Sequence, residues 1–185
     1  MRETRTVGDP DASSGAPDVF GNFGDTVLTA AVRILNQDGD ELEVFNRFFD
    51  LSPDVSEINK TNKYGCTPLF VAVHLGKFDL ARSLLARRAD INATNDKDNT
   101  IFDSLQWKLK HLRSHVSPAR GESEKRDIHR FIEDIFLKYN YPLDRWLYDR
   151  YKGIITEDVF RKCEISRLRA EIEMRMAQLE RLVNN

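Results

Sequence analysis

Few side chains in this sequence are spaced for chemistry. His111 and His115 stand four apart in a helical pattern, so both rings leave one face and could meet a metal ion. The run His111-Leu-Arg-Ser-His115 lacks the glutamate of a zinc hydrolase, and no third ligand stands near. These two read as surface histidines on a basic helix. Cys66 falls in a turn and Cys163 on an apolar helix face. Neither has a neighbouring histidine to draw off its proton, so neither reads as a nucleophile. Asp96 and Asp98 alternate like calcium ligands, but the rest of a calcium-loop pattern does not follow, which leaves solvated turn carboxylates. No glycine loop that could cradle a phosphate occurs. Trp146, Tyr148 and Tyr151 read as core and cap rather than as a ligand cage. No catalytic residue, no cofactor and no metal site is expected, and the chain reads as a non-enzyme.

Charge distribution is the next feature. The 28 Lys/Arg and 30 Asp/Glu nearly cancel, to a net of −2. Residues 1–60 nevertheless hold 5 basic and 12 acidic side chains, a net of −7, and residues 108–130 hold 7 and 3, a net of +4. Lys108, Lys110, Arg113, Arg120, Lys125, Arg126 and Arg130 could touch phosphates, so nucleic-acid or anionic-surface binding through 108–130 is one alternative function. Only Trp107 and Phe131 are aromatic there, and both fit an apolar helical pattern, so no base-stacking platform is evident. A solvated helix surface is the plainest reading; as a partner an acidic protein is the better match, and nucleic acid is disfavoured. The 41% hydrophobic content suffices for one domain. Residues 1–19 are polar and rich in Gly, Pro, Ser and Asp, and are expected to form a disordered tail. No apolar run follows Met1–Arg5, so no secretory leader is expected. No stretch approaches the ~20 apolar residues of a membrane span. Two cysteines are too few for a disulfide framework. Together these favour an intracellular, cytoplasmic setting. A nuclear protein or one delivered into a host cell would look the same.

The elements that carry these residues are legible from one segment. Asn62-Lys-Tyr-Gly65-Cys-Thr67-Pro68-Leu69-Phe-Val-Ala72-Val-His-Leu-Gly76 opens a turn and a short helix. Lys77-Phe-Asp-Leu80-Ala-Arg-Ser-Leu84-Leu85-Ala-Arg-Arg-Ala89-Asp90-Ile91-Asn92 returns with a second. Gly65 permits a positive φ, Thr67 can cap the helix, and Pro68 suits its first position. Leu69 and Ala72 share a face, Gly76 stops the helix, and Leu80, Leu84 and Leu85 give the second helix an apolar stripe. This segment resembles one whole ankyrin repeat. Weaker copies flank it. Thr100, in Asp98-Asn-Thr100-Ile101-Phe102, follows Thr67 by 33 residues, and Thr26, in Gly24-Asp-Thr26-Val27-Leu28, precedes it by 41. Asp98 replaces the turn glycine and Ile101 the proline. The first copy's second helix would carry Leu42, Phe45, Phe48 and Phe49, with Asn59 at its exit.

The third copy is longest. Its first helix runs through Leu105, Trp107, Leu109 and Leu112, Ser117–Gly121 breaks it, and the second is expected from about Glu122 to Tyr139. Ile128, Phe131, Ile132, Ile135 and Phe136 lie on one face. From Thr100 to Ile135 is 35 residues, against 17 from Thr67 to Leu84, so this hairpin should protrude by two to three turns. Its tip and basic flanks are expected to touch a partner or to clamp the C-terminal extension. Beyond a turn at 139–144, a short helix bears Trp146, Leu147 and Tyr151. A last helix is expected from near Thr156 to about Val183. Its Ile165, Leu168, Ile172, Leu179 and Leu182 follow a heptad seam that Arg175 interrupts. The seam covers fewer than the three or four heptads of a self-standing coiled coil, so a cap on the end of the stack is the expectation.

The fold class expected is therefore all-α. It is a short ankyrin-repeat solenoid of about three hairpins over 20–140 (20–60, 61–94 and 95–140), with a helical cap or extension at 141–185. The resemblance implies a non-catalytic protein–protein interaction module, an adaptor or an inhibitor. It also implies binding through turn tips and the exposed side of each first helix. Carried over, these are Asn22, Phe23, Asp25, Arg33 and Ile34, then Lys63, Tyr64, Cys66, His74 and Leu75, then Asp96, Lys97, Asn99, Trp107 and Lys108. Arg113, Lys125 and Arg126 are added from the basic hairpin. The partner expected is a protein, a monomer is favoured over a homodimer, and a small viral or pathogen effector is one variant. An oligomeric scaffold through helix 156–183 is the other alternative.

Overall fold

The computed structural model describes residues 24–36, 39–51, 55–115 and 118–183. Among the described residues the secondary structure is helical, with no strand. Three helical hairpins stack side by side. The first pairs α1 (Val27–Ile34) with α2 (Gly39–Leu51), and a 3₁₀ turn at Val55–Asn59 follows. The second pairs α3 (Pro68–Leu75) with α4 (Phe78–Ala86). The third pairs α5 (Ile101–His115) with α6 (Pro118–Glu133), which continues as a π-helical turn over Asp134–Lys138. The short α7 (Arg145–Tyr151) and the long α8 (Glu157–Val183) complete the chain. The helix α3 packs between α1 and α5, and α4 between α2 and α6. The expected tail at 1–19 lies outside the described residues.

All three hairpins open by one device. Two residues before each capping threonine the backbone is left-handed: Gly24 at φ 59°, Gly65 at 69° and Asp98 at 57°. Asp98 holds this conformation without glycine because aspartate tolerates it better than most residues do. The Oγ1 atoms of Thr26, Thr67 and Thr100 then accept the amides of Thr29 (3.2 Å), Phe70 (3.2 Å) and Asp103 (3.3 Å). Asp103 returns the favour by accepting the Thr100 amide at 2.8 Å, a reciprocal cap.

The first helices stop differently. Gly76, at φ 77°, turns the chain so that the Gly76 and Lys77 amides donate to Val73 O (3.0 Å) and Ala72 O (2.8 Å). Helix α1 has no such glycine and leaves through an extended Leu35. Its open carbonyls are met by the next repeat. Lys77 Nζ donates to Val32 O (2.9 Å), Arg33 O (2.7 Å) and Leu35 O (2.6 Å). A cation there also suits the negative end of the helix.

The middle hairpin holds the core. Every residue from Pro68 to Val73 is buried, since α3 has a helix on each side. Leu80, Ala81 and Leu84 are fully buried between α2 and α6. In α2, Phe45 is buried with Leu42 and Phe49 packed beside it, but Phe48 is not a core residue, at 39% exposure. It sits roughly 90° around the helix from the stripe that the other three share, and α2 packs on α4.

The third hairpin is long, as its spacing predicts: 15 and 16 residues in its helices against 8 and 9 in the second. Its second helix starts earlier than expected. Helix α6 begins at Pro118, not near Glu122, because proline suits a first helical turn and Gly121 fits within the helix with Leu112 O 3.9 Å from a notional Cβ. Ile128, Phe131, Ile132, Ile135 and Phe136 are all buried. The C-terminal segment docks on this hairpin. Tyr151 Oη donates to Asp103 Oδ1 (2.8 Å), the Phe102 ring meets Phe136 and Tyr151, and Lys162 pairs with Glu133 at 2.9 Å. Burial raises Asp103, but the Thr100 amide and hydroxyl, the Tyr151 hydroxyl and Arg150 outweigh it and hold its carboxyl below the usual range. Only the first turns of α8 cap the stack, through Val159, Phe160 and Cys163. From Ile165 to Leu182 the helix is exposed, which corrects the expectation of a helix laid along the end.

Candidate protein-binding face

The turn tips are built from asparagine. Asn62 Oδ1 accepts the amides of Tyr64 (3.0 Å) and Cys66 (3.1 Å), and 33 residues later Asn95 Oδ1 accepts those of Lys97 (2.9 Å) and Asn99 (3.0 Å). One side-chain oxygen thus holds each tip closed. Adjacent tips are joined by the Asp96 amide donating to Tyr64 O at 3.1 Å. Asn62 Nδ2 also donates to Asp25 Oδ1 (3.0 Å), while Asp25 Oδ2 accepts from Arg33 Nε (2.7 Å). The second tip is therefore tied to the first hairpin and to the third.

Below these tips, α3 and α5 form the wall of a groove of about 610 Å³. Tyr64, Cys66, Asp96 and Lys97 stand at its tip side, Phe70 and Val71 at its floor, and His74, Ser104 and Trp107 along its helices. His74 Nδ1 lies 3.1 Å from Ser104 Oγ, and its ring sits between Phe70 (6.2 Å) and Trp107 (6.1 Å). Trp107 stacks on His111 at 4.2 Å, and His111 Nδ1 is 2.7 Å from Trp107 O. That histidine is therefore engaged by its own helix. Tyr64 and Trp107 remain 47% and 54% exposed, so two large rings face solvent beside one concavity. Trp107 stacks on a neighbour of its own helix and is not buried in the long hairpin.

Burial shifts two titratable groups of the groove. Partial burial, then the charges of Lys108 and Arg33, lower the His74 pKa. Burial raises the Cys66 thiol pKa above its ordinary value, with Arg33 opposing it. The shift is away from the thiolate form. Among the described residues no group of three or more metal-ligating side chains converges.

Of the residues carried over from the sequence, the groove gathers Arg33, Tyr64, Cys66, His74, Asp96, Lys97, Asn99 and Trp107. Asp25 adjoins them through Arg33. Others stand elsewhere. Ile34 is exposed at the end of α1, and Lys63 lies over the Tyr64 ring at 5.1 Å. Leu75 is packed against the core, and Lys108 is 14% exposed, paired with Glu124 at 3.6 Å and lying over Gly76. Lys125 approaches Glu122 at 4.0 Å, and Arg126 borders a separate cleft between α6 and the start of α8. Asn22 and Phe23 lie outside the described residues, as does the Arg113 side chain. Asn62, Asn95, Phe70 and Ser104 were not among the expected site residues. The asparagines carried a usable signal, since each stands five positions before its capping threonine.

A comparison with protein families matches residues 64–96 to the ankyrin repeat, which takes in the second hairpin and part of the tip on either side of it. No curated protein matches the chain. Ankyrin repeats generally mediate protein–protein interaction, and the family is typically non-catalytic. No helix among the described residues is long and apolar enough to cross a membrane.

Proposed function

We propose that this protein is a non-catalytic adaptor or occluding inhibitor, and that the groove between the turn tips and α3/α5 receives a loop or helix of a protein partner. The observation that carries the reading is the pair of exposed rings, Tyr64 and Trp107, lining one groove with an apolar floor at Phe70 and Val71. Large rigid aromatics flanking a concavity are the usual anchors of a protein interface. The surrounding polar groups, Arg33, Asp96, Lys97 and Asn99, form a rim of mixed sign. This suits a partner segment with an apolar centre and polar flanks. The tips are hydrogen-bonded to one another, so the face is preorganised and little ordering opposes binding. Two unpaired, half-buried cysteines support a reducing intracellular setting.

The test is affinity purification with the full chain, followed by mass spectrometry, repeated with Tyr64→Ala and Trp107→Ala combined. Proteins retained by the parent and lost by the double variant at unchanged melting temperature are groove partners. If every retained protein survives the double variant, the reading is wrong.

A further inference from the structure

Helix α8 carries two apolar faces that point in different directions. Val159 and Cys163 pack on the core and Phe160 stacks on Tyr148 of α7 at 4.4 Å, with Val159 and Phe160 buried. Ile165, Leu168, Ile172, Met176, Leu179 and Leu182 are 50–75% exposed. At about 100° per residue, the second set is centred roughly 160° around the helix from the first. The seam therefore faces away from the body that its own helix is docked on. No bending of α8 toward the stack would cover it without undocking Phe160.

We propose that this seam is covered by the same seam of a second copy, in an antiparallel pair. Three observations select this occupant. The seam is self-complementary when the helices run in opposite directions: Ile165 meets Leu182, Leu168 meets Leu179, and Ile172 meets Arg175 of the partner subunit. The only charge within it is then satisfied. Arg175 stands level with Glu171 of the partner subunit on the same flank, and the two charges already pair within one chain at 2.7 Å. A parallel pair would instead set Arg175 against its own copy. The area is also sufficient. Six such side chains at on the order of 100 Å² each bury about 1,200 Å² over two helices, the lower bound of a stable interface. The pair is therefore weak and concentration-dependent. It sets the two groove-bearing bodies at opposite ends of a seam about 27 Å long, which would make the assembly bivalent. This proposal does not depend on the groove.

Sedimentation of the full chain from low micromolar to high micromolar concentration tests it. The expected result is a monomer that gives way to a dimer. Leu168→Glu with Leu179→Glu should keep the chain monomeric throughout, with an unchanged melting temperature, because neither side chain touches the folded body. Arg175→Glu should weaken the dimer about tenfold or more, and adding Glu171→Arg should restore it, since only the antiparallel register places these positions opposite each other. A chain that stays monomeric at every concentration overturns the proposal and leaves the seam to a different occupant. A dimer that survives the double glutamate variant, or that the charge swap does not restore, overturns it as well.

Discussion

Lys77→Met isolates a contact that no motif of the sequence announces. The lysine belongs to the second repeat, yet its ammonium closes α1 of the first by donating to Val32 O, Arg33 O and Leu35 O at 2.9, 2.7 and 2.6 Å. Methionine preserves the apolar stem and removes all three donors. Each hydrogen bond from a charged group contributes about 1.5–3 kcal/mol, but water can replace some of them at this half-buried position. The expected loss is therefore ~2–3 kcal/mol rather than the sum. For a domain of this size that corresponds to a fall in melting temperature of about 5–10 °C. Urea unfolding gives the free energy, and amide exchange gives the location: protection should fall in α1 and α2 before it falls in α3, as the end repeat of a stack peels away. Lys77→Arg should recover only part of the loss, because a planar guanidinium cannot converge on three carbonyls as an ammonium does. A methionine variant within about 0.5 kcal/mol of the parent, or one whose lost protection spreads evenly over the stack, would refute the argument.

Other outcomes follow from single contacts. Gly65→Ala should destabilise the chain by at least ~2 kcal/mol, because a Cβ at φ 69° would clash with Asp96 Oδ1 and stand 2.7 Å from Asp96 N; thermal melting checks it. Asp103→Asn should cost about 1–2 kcal/mol at neutral pH and loosen α7, seen as increased exchange over 145–151. The carboxyl is held below its ordinary range, so its stabilisation is present above the unfolded value of ~3.9 and is lost as pH falls through the folded one. The parent should thus lose stability more steeply in acid than the variant. His74, with a lowered pKa, favours its neutral form in the folded chain. Stability should fall as pH drops from the unfolded value of ~6.5 toward the folded one, and His74→Phe should flatten that fall in urea titrations at stepped pH.

The repeat architecture was legible because each opening uses local chemistry. A left-handed residue, a capping threonine and an apolar run occupy four or five positions and need no distant partner. Asp98 fitted the same role as Gly24 and Gly65, so even the degraded third opening could be placed by its 33-residue offset from the second. The spacing from Thr100 to Ile135 likewise fixed the length of the third hairpin. The groove was less legible. The ankyrin resemblance implies Tyr64 at a turn tip and His74 and Trp107 on the open side of first helices, but it implies Leu75 and Lys108 equally, and these are packed away, against the core and beside Glu124. Whether a flank position of a first helix is open depends on how far its neighbour reaches over it. Here α5 is nearly twice the length of α3, and its Lys108 covers Gly76.

The last helix shows the limit of periodicity most clearly. Its heptad seam was visible, and a cap was the natural reading because the end of a solenoid needs cover. Both features are present, but on different faces. Val159, Phe160 and Cys163 supply the cover, and the seam from Ile165 onward begins after the chain has turned away from them. Averaged over the whole helix the two faces nearly cancel, so α8 reads as polar all round. A helix of that kind is expected to be solvated or to bridge, and the exposures show a local dock followed by an unpaired strip. Placing the cap and the seam on opposite faces lets one helix close its own stack and still present an apolar surface to another chain. A single continuous stripe could do only one of these. The position of Arg175 fits that division. On the open seam it pairs with Glu171 of its own chain at 2.7 Å, so the break in the apolar run carries a matched charge.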